Sequence, residues 1–196
     1  YVNGITESGE RLLAVVNGIL SYTHLLAGKV RLEVQPCDLT YLLDTCATSQ
    51  RHKAAEKQQS ISVDVAPPDL AITTDPTALA EVLKRLLDNA IKFTPDGGEI
   101  GLEAHPGGTP GAGPEPGTVD LVVWDTGIGI AADQHANIFQ AFTQADARLA
   151  RSHEGIGLGL AYVYEMVHLM GGTMALESMP GEGSRFTISL PAQLRR

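Results

Sequence analysis

The chain has 196 residues and an apolar fraction of 43%, enough for one packed domain or one domain with an appendage. A net charge of −9 with no Lys/Arg cluster argues against nucleic acid as a partner, and no window is apolar over the length that spans a bilayer. No signal peptide is visible. The sequence starts at Tyr1 rather than Met, so it reads as a piece of a longer protein whose membrane status is open.

Residues 1–28 are expected to be helical. Ile5, Leu12, Ile19 and Leu26 recur every seventh residue, with Leu13 and Val16 beside them, and Gly28 is the stop. Two readings fit this narrow seam: an amphipathic core helix, or one helix of a bundle whose mate is absent. Residues 29–36 read as a connector with an extended patch. Asp38 is the N-cap of a helix over 39–57. The two cysteines, Cys37 and Cys46, have no metal spacing and read as reduced cytosolic thiols. Strands are expected at 61–66, ended by Pro67-Pro68, and at 70–73. Asp75 caps the next helix, with Pro76 in its first turn.

That helix, 76–93, places Glu81, Arg85, Asp88, Asn89 and Lys92 on one face and Leu79, Val82, Leu83, Leu86, Leu87 and Ala90 on the other. An ordinary amphipathic surface helix explains the same stripe. A strand at 99–104, a Gly/Pro-rich hairpin loop at 105–118 and a strongly apolar strand at 119–124 follow. Asp125-Thr126-Gly127-Ile128-Gly129-Ile130 closes that strand. Phe139 and Phe142, three apart, fit either core or function. The polar stretch 146–154, with Arg148, Arg151 and His153, is the expected lid. Gly155-Ile156-Gly157-Leu158-Gly159-Leu160 opens an apolar helix to Met170, stopped by Gly171-Gly172. Strands at 174–178 and 185–190 are joined by Pro180-Gly181-Glu182-Gly183.

A carboxylate that ends a strand and a glycine loop that opens a helix make a nucleotide pocket, because a helix N-terminus holds phosphate and glycine lets backbone N–H groups approach it. Asp125, Gly127, Gly129 and Ile130 would form the strand end of that pocket. Gly155, Gly157, Leu158 and Gly159 would form the phosphate end.

In order, these segments resemble the boxes of the histidine kinases of two-component signalling, within the ATPase superfamily that also holds gyrase B, Hsp90 and MutL. Asp88-Asn89-Ala90-Ile91-Lys92-Phe93-Thr94 resembles the N box and Asp125–Ile130 the G1 box. Phe139-Gln140-Ala141-Phe142 resembles the F box, Gly155–Leu160 the G2 box, and Gly181-Glu182-Gly183-Ser184-Arg185-Phe186 the last glycine turn. Lys-Phe-Thr after the N box favours the kinase branch. Residues 1–30 resemble the second helix of the dimerisation and phosphoacceptor hairpin, and 31–196 the ATP-binding catalytic domain. None of the six histidines stands in a phosphoacceptor context.

The resemblance implies a two-layer α/β sandwich, with a mixed, mostly antiparallel sheet covered by helices on one face. It implies ATP and Mg²⁺ as cofactors, and transfer of the γ-phosphate to a histidine on a separate helical hairpin. The implied partners are that hairpin, a response regulator receiver domain and a second copy of the parent kinase, in the cytoplasm. Asp125 would accept from the adenine amino group, which disfavours guanine. Asn89 would hold Mg²⁺, Lys92 would neutralise phosphate charge, and Arg148 or Arg151 would reach the γ-phosphate when the lid closes. Phe139 and Phe142 would anchor the lid, and Phe93 and Thr187 complete the nucleotide set. Arg85 departs from the family pattern: a polar, often amide or acidic, residue is usual there, and arginine cannot act as a base for water. It would either bind phosphate or pair with Glu81 or Asp88. The competing expectation is a degenerate nucleotide-sensing or partner-binding module without phosphotransfer. A chaperone-like ATP machine of the Hsp90 kind lacks its base here.

Overall fold

The computed structural model describes residues 2–108, 117–143 and 157–194; within residues 2–14 it describes side chains only at 9, 12 and 13. The expected lid, 146–154, with Arg148, Arg151 and His153, and also Gly155, lies outside the described residues. So does the middle of the Gly/Pro-rich loop.

In chain order the elements are α1 (Val2–Leu26), β1 (Gln35–Asp38), α2 (Leu39–Glu56), β2 (Ser60–Val65), β3 (Ala71–Thr74), α3 (Pro76–Phe93), β4 (Glu99–Pro106), β5 (Thr118–Asp125), a 3-10 turn (Ala132–Gln134), α4 (Gly159–Leu169), β6 (Thr173–Met179) and β7 (Gly183–Pro191). Five strands form one sheet in the order β2-β4-β5-β7-β6. β2 runs parallel to β4, and the other three pairs are antiparallel. This is the expected α/β sandwich. One difference is β1, which pairs antiparallel with β3 in a separate two-stranded sheet, where a connector was expected.

Local chemistry sets the helix ends. Asp75 accepts from the N–H groups of Thr77 and Ala78 at 2.9 and 3.0 Å, with Pro76 in the first turn, and α3 stops at Thr94 before Pro95. Asp38 caps α2 through the Tyr41 N–H at 3.0 Å. Gly28, at φ +64°, ends α1 as expected: its own N–H reaches the Leu25 carbonyl and that of Lys29 reaches His24.

The core lies between one face of the large sheet and helices α2, α3 and α4. Leu79, Val82, Leu83, Leu86 and Leu87 of α3 are at most 1% exposed, and they meet Ile100, Leu102, Leu121, Val123 and Ile188 of the sheet. Burial of each such leucine contributes about 1.5–3 kcal/mol. Strand alternation sends Glu103, Val122, Trp124, Arg185 and Thr187 to the other, open face. There Arg185 pairs with Glu103, and the Trp124 indole lies over Gly101, where any Cβ would collide with it.

α1 stands apart from this core. Among its described side chains, Tyr22 and the buried Leu25 in the last turns are the ones that dock. Leu12, Leu13, Val16, Ile19, Leu20 and Leu26 are all exposed, so the seam has no partner among the described residues. Among the described residues no helix is long and apolar enough to cross a membrane.

Candidate nucleotide site

The base end of the site is built mainly from backbone. Asp125 ends β5 opposite Ser184 of β7 and is 9% exposed. Its Oδ1 accepts from the Gly127 N–H at 2.7 Å. Burial pushes the Asp125 carboxyl above the usual carboxylate range, against the opposing pull of hydrogen bonds from the Gly127 and Ser184 amides. The loop after it is stitched on all sides. The Ile128 N–H donates to the Phe93 carbonyl at 3.2 Å, the Gly181 N–H to the Ile128 carbonyl at 2.8 Å, and the Ile130 N–H to Ser178 Oγ at 2.8 Å.

Glycine is required at two points of this loop. Gly129 has φ +67° and abuts the Met179 carbonyl, and Gly183 has φ +91° and abuts the Asp125 carbonyl. A cleft of about 350 Å³ opens beside Asp125, between Thr126, Ser178, Met179 and Ser184. A larger one, about 740 Å³, lies away from this chemistry, between α1, Phe139 and α4.

The phosphate end is built from two helices. Asn89 on α3 faces the start of α4: among the described residues outside α4, a Cβ placed on Gly159 meets Asn89 Nδ2, at 4.0 Å. α4 starts at Leu158–Gly159 with no side-chain cap. Among the described residues no side chain takes its first N–H groups, which are the donors that an anion takes. These donors fit the phosphates of the nucleotide that the glycine motifs imply. One amide oxygen fits Mg²⁺ as well, since that ion keeps most of its waters, and among the described residues no acidic or His/Cys cluster offers another metal centre.

Several expectations resolve at particular residues. Lys92 lies one turn from Asn89, its Nζ 4.9 Å from the Phe93 ring centroid. Arg85 pairs with Glu81 at 2.7 Å, one of the partners expected for it. Asp88 does not join that face: it turns to α2, accepting from Lys53 at 2.7 Å and Gln50 at 3.1 Å. Of the two phenylalanines, Phe139 packs 5.5 Å from the Tyr164 ring of α4; the lid it was expected to anchor lies outside the described residues. Phe142 is 64% exposed at φ +65° and is tied through its N–H to the Gly157 carbonyl, so its backbone, not its ring, makes the joint. Gly157, at φ +72°, has Thr143 backbone where a Cβ would sit.

Thr187 is a correction. It pairs with Val122 and Ala175 on the open face of the sheet, whereas Asp125 lies on the helix side, so the parity of β7 turns it away from the site. Ser184, which sequence reading passed over as part of a turn, is the β7 residue on the same side as Asp125. The antiparallel pairing of the two strand ends was the signal: it sets Ser184 directly across from Asp125.

A carboxylate at one end, a bare helix N-terminus at the other and a glycine loop between them define a nucleotide-binding α/β domain. The model of the histidine kinase-, DNA gyrase B- and HSP90-like ATPases matches residues 74–194. The chain belongs to this family, as an ATP-binding catalytic domain of the sensor histidine kinase kind. It is 35% identical over 195 residues to the circadian input-output histidine kinase CikA of Synechococcus elongatus, covering 98% of this chain and 25% of that protein. The chain thus spans about a quarter of that curated relative. The solved structure of full-length ShkA in complex with AMPPNP matches 97% of this chain and 38% of its own, with a TM-score of 0.85 at 34% identity. The histidine kinase ThkA in complex with the response regulator protein TrrA shares the fold, with a TM-score of 0.74 at 24% identity over 98% of this chain and 50% of its own.

Proposed function

We propose that residues 31–196 bind ATP with Mg²⁺ and transfer its γ-phosphate to a histidine on a separate helical hairpin, of which residues 1–30 supply the second helix. The observation that carries this reading is the facing of Asn89 and the uncapped start of α4, with the buried Asp125 at the other end. Asp125 orients the adenine by accepting from its amino group; guanine presents a carbonyl there and leaves the carboxylate unpaired. The α4 N–H groups and Lys92 hold the phosphates, and Asn89 supplies an oxygen to Mg²⁺, which adds charge neutralisation when bound. Transfer is then positioning and charge stabilisation. Arg85 stands where a base for water would be needed, and Glu81 is engaged by Arg85 and Tyr162, so hydrolysis has no base on this face. The exposed seam of α1 fits the four-helix dimer of a parent kinase. A response regulator receiver domain is the proposed acceptor downstream, as ThkA is seen with TrrA.

The test has two readouts. Calorimetry should show ATP and ADP binding and GTP binding at least about tenfold weaker, the worth of one good hydrogen bond to a charged group. Acid-labile label from γ-labelled ATP should then appear on an added hairpin that carries the histidine helix, and not on this chain alone. Equal affinity for ATP and GTP overturns the base assignment. Nucleotide binding without any transfer to the hairpin makes the chain a binding module instead.

A further inference from the structure

Three side chains from two helices meet one turn behind the phosphate end. Glu81 uses both carboxylate oxygens: Oε1 accepts from Arg85 Nη2 at 2.7 Å, and Oε2 accepts from the Tyr162 hydroxyl at 2.9 Å. The Arg85 guanidinium carbon lies 4.0 Å from the centroid of the Tyr162 ring. Tyr162 is 4% exposed, and Arg85 Nε is buried without a hydrogen-bond partner. The guanidinium is thus held by stacking and by one carboxylate. Burial first, then the bond to Glu81, pushes the Tyr162 hydroxyl far above its usual range, so it donates at every pH the fold survives.

The position matters as much as the contacts. Arg85 is one turn before Asn89 on α3, and Tyr162 is one turn after Gly159 on α4, so the stacked pair lies about 5.4 Å behind the Asn89–Gly159 mouth. We infer that Glu81, Arg85 and Tyr162 form a strut that sets the gap between α3 and α4, making Arg85 a positioning residue for the phosphates and their metal. This rests on the nucleotide reading above and deepens it. The alternative, a guanidinium that touches phosphate, requires Arg85 to leave Glu81 and the ring together. Cation–π stacking and a charge-assisted bond in a partly desolvated place oppose that.

The experiment measures binding of AMPPNP against Mg²⁺ concentration, AMPPNP in chelator, and adenosine, for the full chain and its variants. With the strut, Arg85→Met and Tyr162→Leu each raise the Mg²⁺ half-saturation about fivefold. The double variant is no worse than the worse single one, because both remove one interaction. Adenosine affinity stays within about twofold in all of them, since the base end is built separately and reports an intact fold. Arg85→Lys keeps the charge without the flat stacking face and recovers less than about half of the loss. Tyr162→Phe, which keeps the volume and removes only the hydroxyl, shifts the half-saturation in the same direction by about twofold. If Arg85→Met weakens metal-free AMPPNP while Tyr162→Leu leaves every curve in place, Arg85 is a phosphate ligand and the strut is wrong. Superimposable Mg²⁺ curves for all variants also overturn it. A wild-type chain that binds neither AMPPNP nor adenosine instead sinks the nucleotide reading itself.

Discussion

The two ends of the nucleotide site are made in opposite ways. At the base end the wall is backbone: Gly129 against the Met179 carbonyl, Gly183 against the Asp125 carbonyl, and three loop amides tied to neighbouring elements. At the phosphate end Gly157 still abuts the Thr143 backbone, but from Gly159 onward the gap between α3 and α4 is set by side chains: Asn89 4.0 Å from a Cβ placed on Gly159, and the Glu81–Arg85–Tyr162 cluster behind it. A backbone wall tolerates no added atom, because nothing in it rotates away. A side-chain wall can be retuned residue by residue, because each contact belongs to one rotamer.

The strongest way to break the comparison is to add a methyl group at each end. Gly183→Ala should destabilise the fold by about 3 kcal/mol, from a positive φ and a collision with a strand carbonyl that cannot yield. Urea unfolding measures it, and a loss below about 1 kcal/mol would show that the β5–β7 junction has slack. Asp125→Asn is next. It should cost adenine nucleotides about tenfold or more in affinity by calorimetry, while the melting temperature without ligand holds or rises.

The sign of that rise follows from the raised carboxyl. A carboxyl that titrates higher when folded contributes its full stability below the usual carboxylate range and loses it as pH climbs to the raised value, so neutral pH carries a penalty that asparagine removes. Nucleotide binding runs the other way, falling as pH drops through the same window and the acceptor becomes protonated. The smallest effect belongs to the other end. Gly159→Ala should change stability by about 0.5 kcal/mol or less, or raise it slightly through helix propensity, and should weaken AMPPNP binding by under about threefold. A loss as large as that of Gly183→Ala would mean that both walls are rigid.

How much of this was legible beforehand divides along the same line. α3 was read to its ends because Asp75-Pro76 and Thr94-Pro95 are local signals that need no partner. β1 was missed because four residues containing Pro36 carry no alternation, and only pairing with β3 makes them a strand. The glycine motifs announced the base end, since a backbone wall leaves its mark in composition. Ser184 and Thr187 were exchanged because a motif read linearly hides strand parity, which register alone fixes. Tyr162 was invisible as a site residue: its partners lie on another helix, and in the sequence it is one more apolar position of α4. Arg85 was flagged by its oddness, but its choice of Glu81 over phosphate is a matter of rotamer and neighbour.

The indole stacked over Gly101 gives the chain an optical property. It is the chain's single tryptophan, and it immediately precedes Asp125 on β5, with its ring on the open side of the sheet. Tryptophan emission from this protein therefore has one source, one peptide unit from the Asp125 carboxylate proposed to meet the base. Trp124 also lines the cleft of about 350 Å³ beside Asp125. A shift in its colour or intensity on adding adenosine reports a change at the end of β5 or in the cleft beside it, so the domain carries its own gauge of events at the backbone wall.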